Sequence, residues 1–135
     1  MTMHLKSLVA GGVLVALAGV VVAQPSALTR TMVTKADVSV PGREAVVAKV
    51  EVAAGGIAGW HTHPGDEISY VLEGEATVMM AGQAPRKVAA GDGFVIPAGV
   101  VHNAKNDGTS GTKLVGVYVV EKGKPLASPA SAPAP

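Results

Sequence analysis

The chain has 135 residues, no cysteine and a formal net charge of +1, so disulfides are excluded as stabilisers. Nothing in the balance suggests a nucleic-acid surface or a basic membrane patch. The length allows one small domain rather than two.

Residues 1–23 read as a secretory signal peptide. Lys6 supplies a positive start, Leu8 to Val22 are apolar or glycine throughout, and Val21-Val22-Ala23 puts small residues just before Gln24. That apolar core has 15 residues, whereas a spanning helix needs about 20, so no stable membrane anchor is expected. The expected destination is a bacterial periplasm or the exterior. Cleavage would take Lys6 from the 11 basic residues and leave them balanced against the 10 acidic ones.

From about Thr29 the pattern turns to short β-rich runs cut by turn residues. Val46, Ala48, Val50 and Val52 alternate with Ala45, Val47, Lys49 and Glu51, the period of a strand with one buried face. Further runs cover Ile68 to Leu72, Ala76 to Ala81, Phe94 to Ile96 and Leu114 to Val120. Between them lie Ala54-Gly55-Gly56, Pro64-Gly65-Asp66, Glu73-Gly74-Glu75, Ala81-Gly82-Gln83, Gly91-Asp92-Gly93 and Asn106-Asp107-Gly108, each with turn chemistry. Such spacing predicts an all-β sandwich or barrel over residues 30–121. Gly74 and Gly82 are expected to supply positive φ in tight reversals, and Pro97 with Gly99 to end one strand and start the next. The stretch 122–135 holds four of the nine prolines and is expected to be a disordered Pro/Ala-rich tail.

All three histidines after the apolar segment sit in two punctuated motifs. The first runs Gly55, His61-Thr-His63, Glu67, Gly74; the second runs Gly91, Pro97-Ala98-Gly99, His102, Asn106. His61 and His63 are two apart, so on a strand both imidazoles face the same way and can share one ion. Glu67 has the same parity, but Pro64-Gly65 interrupts the strand, so counting alone does not bring its carboxylate to the same point. His102 lies 39 residues beyond His63 and has to be delivered by the topology. A lone His-X-His would be weak evidence; with Glu67, the independent second motif and flanking glycines, ordinary polar residues at a barrel mouth are the poorer explanation.

Both motifs resemble those of the cupin family at every defining position, over roughly residues 30 to 120. The resemblance implies a single-domain antiparallel β-barrel of jelly-roll type, with His61, His63, Glu67 and His102 as ligands of one divalent transition metal ion per chain. Imidazole with carboxylate suits iron or manganese, and equally nickel, zinc, copper or cobalt. The resemblance also implies a small organic substrate or ligand and a homodimer. Apolar residues on both faces at Val46/Val47 and Val119/Val120 suggest the same self-association.

Two functions fit. One is a dioxygenase-like metalloenzyme, or a related isomerase or lyase, with Glu67 leaving the ion to act as catalytic base. The other is a non-catalytic domain that binds a metal or small ligand. A sugar-phosphate isomerase would need several basic residues near the motifs, and none clusters there. Trp60 and Tyr70 are expected to point away from the ion, and Met79, Met80, Phe94 and Ile96 to line the barrel.

Overall fold

A computed structural model describes residues 27–134, so the expected signal peptide lies outside the described residues. Ten strands are present and no helix among the described residues: β1 Leu28–Asp37, β2 Arg43–Val52, β3 His61–Thr62, β4 Gly65–Glu73, β5 Glu75–Met80, β6 Arg86–Ala89, β7 Gly93–Ile96, β8 His102–Lys105, β9 Thr112–Glu121 and β10 Ser128–Pro129. They form two five-stranded antiparallel sheets, ordered β1-β2-β9-β4-β7 and β10-β3-β8-β5-β6. Only the β1/β2 and β5/β6 connections stay within one sheet. Every other connection crosses to the facing sheet, which is the winding of a jelly-roll barrel.

The alternation read in β2 is the alternation observed. Val46, Ala48, Val50 and Val52 are buried, whereas Lys49 and Glu51 are exposed. Their partners on β9 continue the pattern, since Val50 pairs with Leu114 and Val46 with Tyr118. Inner side chains form two apolar clusters. One joins Val46, Ala48, Val50, Leu114, Tyr118 and Val120; the other joins Val71, Ala76, Val78, Val88, Phe94 and Ile96. Full burial of a valine contributes about 1.5–3 kcal/mol; the second cluster joins both sheets and holds them face to face, while the first covers the inner face of β2 and β9. Gly74 and Gly82 adopt φ of 77° and 74°, as the reversals require. Asn106 is a structural residue, donating Nδ2 to the carbonyls of Val52 and Ser110 and accepting from Gly108 N–H.

Two expectations are corrected. The first concerns Gly65, which is no turn residue but the first residue of β4, paired with Val120. A Cβ there would lie 2.0 Å from the Val119 carbonyl oxygen, so only glycine lets β4 approach β9 this closely. The second concerns the segment after Glu121, which is ordered rather than disordered. Ser128–Pro129 pair with Thr62 and His61, Ala130 N–H donates to the Trp60 carbonyl, and Leu126 packs against the first cluster. Proline tolerates this edge position because an edge strand leaves one side unpaired.

The outer face of the first sheet carries an apolar row, Val47, Val117, Ile68 and Val95, aligned by register. Ile68 and Val95 are about half exposed.

Replacing Gly65 by Ala should lower thermal stability by roughly 3 kcal/mol or more, the upper range of overpacking costs. The same change at Gly93, where the nearest atom is 3.5 Å away, should cost less than about 1 kcal/mol. Equal melting curves for the two variants would sink this account of Gly65.

Candidate metal centre

β3 and β8 pair at one position, and it sets His61 directly opposite His102. Their ring centroids lie 4.1 Å apart. His63 follows just past the end of β3, 4.9 Å from His61 and 5.0 Å from His102. The chain then crosses to the other sheet through Pro64 and Gly65, and β4 brings Glu67 back from the opposite wall. Its Oε2 lies 2.9 Å from His63 Nε2 and 3.4 Å from His102 Nε2. The three histidines therefore meet, and Glu67 reaches His63 and His102 from the facing sheet, its parity decided by a sheet crossing.

The hydrogen bonds of the imidazoles dictate what the site can hold. His61 Nδ1 contacts the Gly59 carbonyl at 2.7 Å, His63 Nδ1 the Leu126 carbonyl at 2.6 Å and His102 Nδ1 the Val100 carbonyl at 2.9 Å. A carbonyl oxygen only accepts, so each Nδ1 carries a proton and donates it. In the neutral ring Nε2 is then a lone pair, and the ligand atoms of the three histidines lie within 4.8 Å of one another. His63 Nε2 and His102 Nε2 are buried with no hydrogen-bond donor to satisfy them, yet both face a carboxylate. Such a contact is an ion pair if Nε2 is protonated and a repulsion if it is not. A cation that takes all the lone pairs removes the conflict. Neighbouring ligands of an octahedral ion with bonds of about 2.1 Å stand about 3 Å apart, which the 2.9 and 3.4 Å separations fit.

Electrostatics agree with that donor set. Burial lowers the His61 pKa to about 4 despite its bond to Gly59, so the ring is neutral and ready to ligate at pH 7. Burial pushes the Glu67 carboxyl upward; where a proton on Nε2 makes His102 and His63 donors, their bonds and that from Ser69 outweigh it and hold the group well below the usual carboxylate range. With both Nε2 atoms as lone pairs, only Ser69 donates to it. Ser69 Oγ donates to Glu67 Oε1 at 2.7 Å, which leaves Oε2 facing the imidazoles. Burial, together with the Glu67 charge, pushes Tyr118 up to about 12, so its phenol stays protonated.

Four contributors escaped sequence reasoning. Ser69 carries the inward parity of Glu67 and was legible in principle. Tyr118 pairs with Glu67 across β4 and β9 and packs its ring 4.8 Å from that of His63; Gly116 makes room, since a Cβ there would meet the Tyr118 hydroxyl at 2.7 Å. Arg30 Nε donates to that hydroxyl at 3.3 Å. Leu126 orients His63 through its carbonyl alone, which no side-chain motif announces. Phe94 and Ile96 line the chamber as expected, and Tyr70 is exposed on the outer surface. Trp60 lies with His61 along the groove outside the chamber.

An all-β barrel with three imidazoles gathered between its sheets defines a small barrel protein whose histidines could hold an ion. The chain belongs to the cupin family: the profile described as "Cupin domain" matches residues 48–120. Among curated proteins, a germin-like protein, subfamily 2 member 2, of Arabidopsis thaliana is 34% identical over 109 residues, covering 72% of this chain and 50% of its own length. The chain thus spans half of that relative. An acireductone dioxygenase of Rhodopseudomonas palustris is 47% identical over 47 residues, 33% of this chain and 28% of that protein. A cupin-like protein from Thermotoga maritima superposes with a TM-score of 0.64 at 23% identity, covering 78% of this chain and 77% of its own, which shows the shared fold.

One transition-metal ion per chain should bind here and stabilise the fold, by about 4 kcal/mol at a thousandfold excess over Kd. A chelator should lower the melting temperature, and His61→Ala or His102→Ala should abolish that sensitivity. Truncation after Lys124, which removes the carbonyl that orients His63, should weaken metal affinity about ten- to a hundredfold. Full occupancy in the double variant His61→Ala/His102→Ala would disprove the ligand assignment.

Proposed function

We propose that the chain is a metal-dependent enzyme of dioxygenase type that acts on a small organic molecule. The observation that carries this reading is the set of three imidazoles, each tied through Nδ1 to a carbonyl, whose ligand atoms lie within 4.8 Å of one another beside a cavity, with Glu67 against two of them. His61, His63, His102 and Glu67 are the proposed ligands, with iron or manganese favoured over nickel, zinc, copper or cobalt. The relative named as an acireductone dioxygenase supports oxygen chemistry in particular.

A divalent ion held there supplies Lewis acidity and open coordination positions. The chain's own residues do the rest. Val50, Val78, Phe94, Ile96 and Leu114 line the chamber and exclude competing water. The imidazoles cannot swing, because each is tied to a backbone carbonyl. Ser69 holds Glu67 Oε1, leaving Oε2 as the atom that ligates or takes a proton. The depressed pKa of Glu67 makes ligation its first role and proton transfer its second.

The test is oxygen uptake. Reconstituted anaerobically with Fe(II), the protein should consume dioxygen faster with a chelating enol or phenol present than without one. Glu67→Gln should lose about 10²–10⁴ of the rate, the usual contribution of a general base, while keeping much of its iron. An unchanged electrode trace across a broad panel, with iron shown to be bound, favours the non-catalytic binding domain instead.

The reading also includes export, carried by the apolar segment before Gln24, and pairing of two copies through the row of Val47, Val117, Ile68 and Val95. N-terminal sequencing should begin near Gln24, and sedimentation at micromolar concentration should give a dimer. An intact Met1 terminus or a monomer would remove the corresponding claim.

A further inference from the structure

Arg30 is a cation set in the wall between the ion site and solvent. It lies opposite Val50 in the β1/β2 register, and Val50 is buried; cross-strand partners share a face, so Arg30 enters the barrel side of the sheet. Its Nε donates to the Tyr118 hydroxyl at 3.3 Å, and its guanidinium carbon stands 5.5 Å from the centre of the Tyr118 ring. Stacking and hydrogen bond together fix the guanidinium plane. Among the described residues the ion pairs engage Lys35, Arg43, His63, His102, Lys105, Lys113 and Lys122, but not Arg30. Its two terminal nitrogens therefore remain available as a fork.

Two cavities share Arg30 and His61 as walls. The inner chamber, bounded also by Glu67, His102 and Tyr118, has a volume of about 30 Å³, room for a water molecule or something of similar size. The outer groove, with Trp60 and Pro129 along it, has about 330 Å³. An organic molecule must accordingly lie in the groove and reach the ion past His61. Among the described residues Arg30 is the sole charged side chain along that groove. A divalent ion with three neutral imidazoles and one carboxylate keeps one uncompensated positive charge, and Arg30 adds a second close by.

We propose that the groove binds a small organic carboxylate, gripped end-on by the Arg30 fork, so that the rest of the molecule extends toward the ion. This deepens the metal-site reading and rests on it. A planar carboxylate matches one guanidinium with two parallel hydrogen bonds, and its single charge equals that of the arginine. Tyr118 is the positioning residue that holds the fork. The carboxylate offsets the Arg30 charge beside the cationic ion site, so substrate and ion reinforce each other's binding.

Trp60, the only tryptophan in the chain, lies along the same groove and reports occupancy. Titrating the zinc-loaded full chain with pyruvate or malonate should give a saturable change in its emission. Pyruvamide and malonamide, of nearly the same shape without the charge, should give none at equal concentration. Arg30→Ala should weaken pyruvate binding at least tenfold and Arg30→Lys by a smaller factor, with zinc content by elemental analysis unchanged. Equal binding by the amides, equal binding by Arg30→Ala, or tighter binding of inorganic phosphate than of pyruvate would overturn the proposal. Titration of the metal-free chain separates the two readings. If zinc does not bind but pyruvate still binds through Arg30, the metal assignment falls and the anion site stands. If zinc binds at one ion per chain and neither carboxylate binds, the anion site falls and the metal assignment stands.

Discussion

Three backbone carbonyls, those of Gly59, Val100 and Leu126, each accept an Nδ1 proton, and this turns three lone pairs inward on an apolar barrel. Buried acceptors without donors cost about 1–3 kcal/mol each, so the arrangement is unfavourable unless something positive fills the space between them. The strands supply the rigidity that keeps the conflict in place. His61 and His102 face each other by sheet register, while Glu67 arrives from the facing sheet at 2.9 Å from His63 Nε2. Relaxation would require one sheet to slide past the other, and the apolar cluster that joins β4 and β7 to β5 and β6 opposes that movement.

The cupin match covers residues 48–120, yet two groups that shape the centre come from outside that span. Arg30 reaches it from β1, and the Leu126 carbonyl reaches it from the segment that leads into β10. The shared core carries the proposed ligands, and the flanks add the Arg30 side chain beside them and the carbonyl that holds one imidazole. Function in such a barrel resides in these local additions more than in the fold. The same division accounts for the asymmetry of the cavities, since Arg30 and Pro129 shape the outer groove while the inner chamber is walled mainly by β-strand residues of the core.

The chemistry of Glu67 depends on neighbours with opposed effects. Burial alone would make it a weak acid suited to proton transfer, but Ser69, and the two imidazoles where Nε2 carries a proton, favour the ionised form. A carboxylate held in this way is a better ligand than base. Tyr118, beside it, stays protonated and passes no charge to the site; its service is to pack against His63 and to anchor Arg30.

Period and residue type were enough to read β2, β4, β5, β7 and β9, because burying one face of a strand forces alternation that any window of the sequence displays. They were also enough to single out His61, His63, Glu67 and His102 as candidates, since ligand atoms are side-chain chemistry and the glycine and proline punctuation is local. Other parts answered only to the tertiary structure. Gly65 looks like a turn residue until β9 is placed against it. Proline-rich sequence after Glu121 looks disordered until an edge strand is available to pair with. Arg30 and Tyr118 are 88 positions apart, and His63 is 63 positions from the carbonyl that orients it. Such contacts leave no periodic trace, because they are made by two sheets folding over one another rather than by neighbours along the chain.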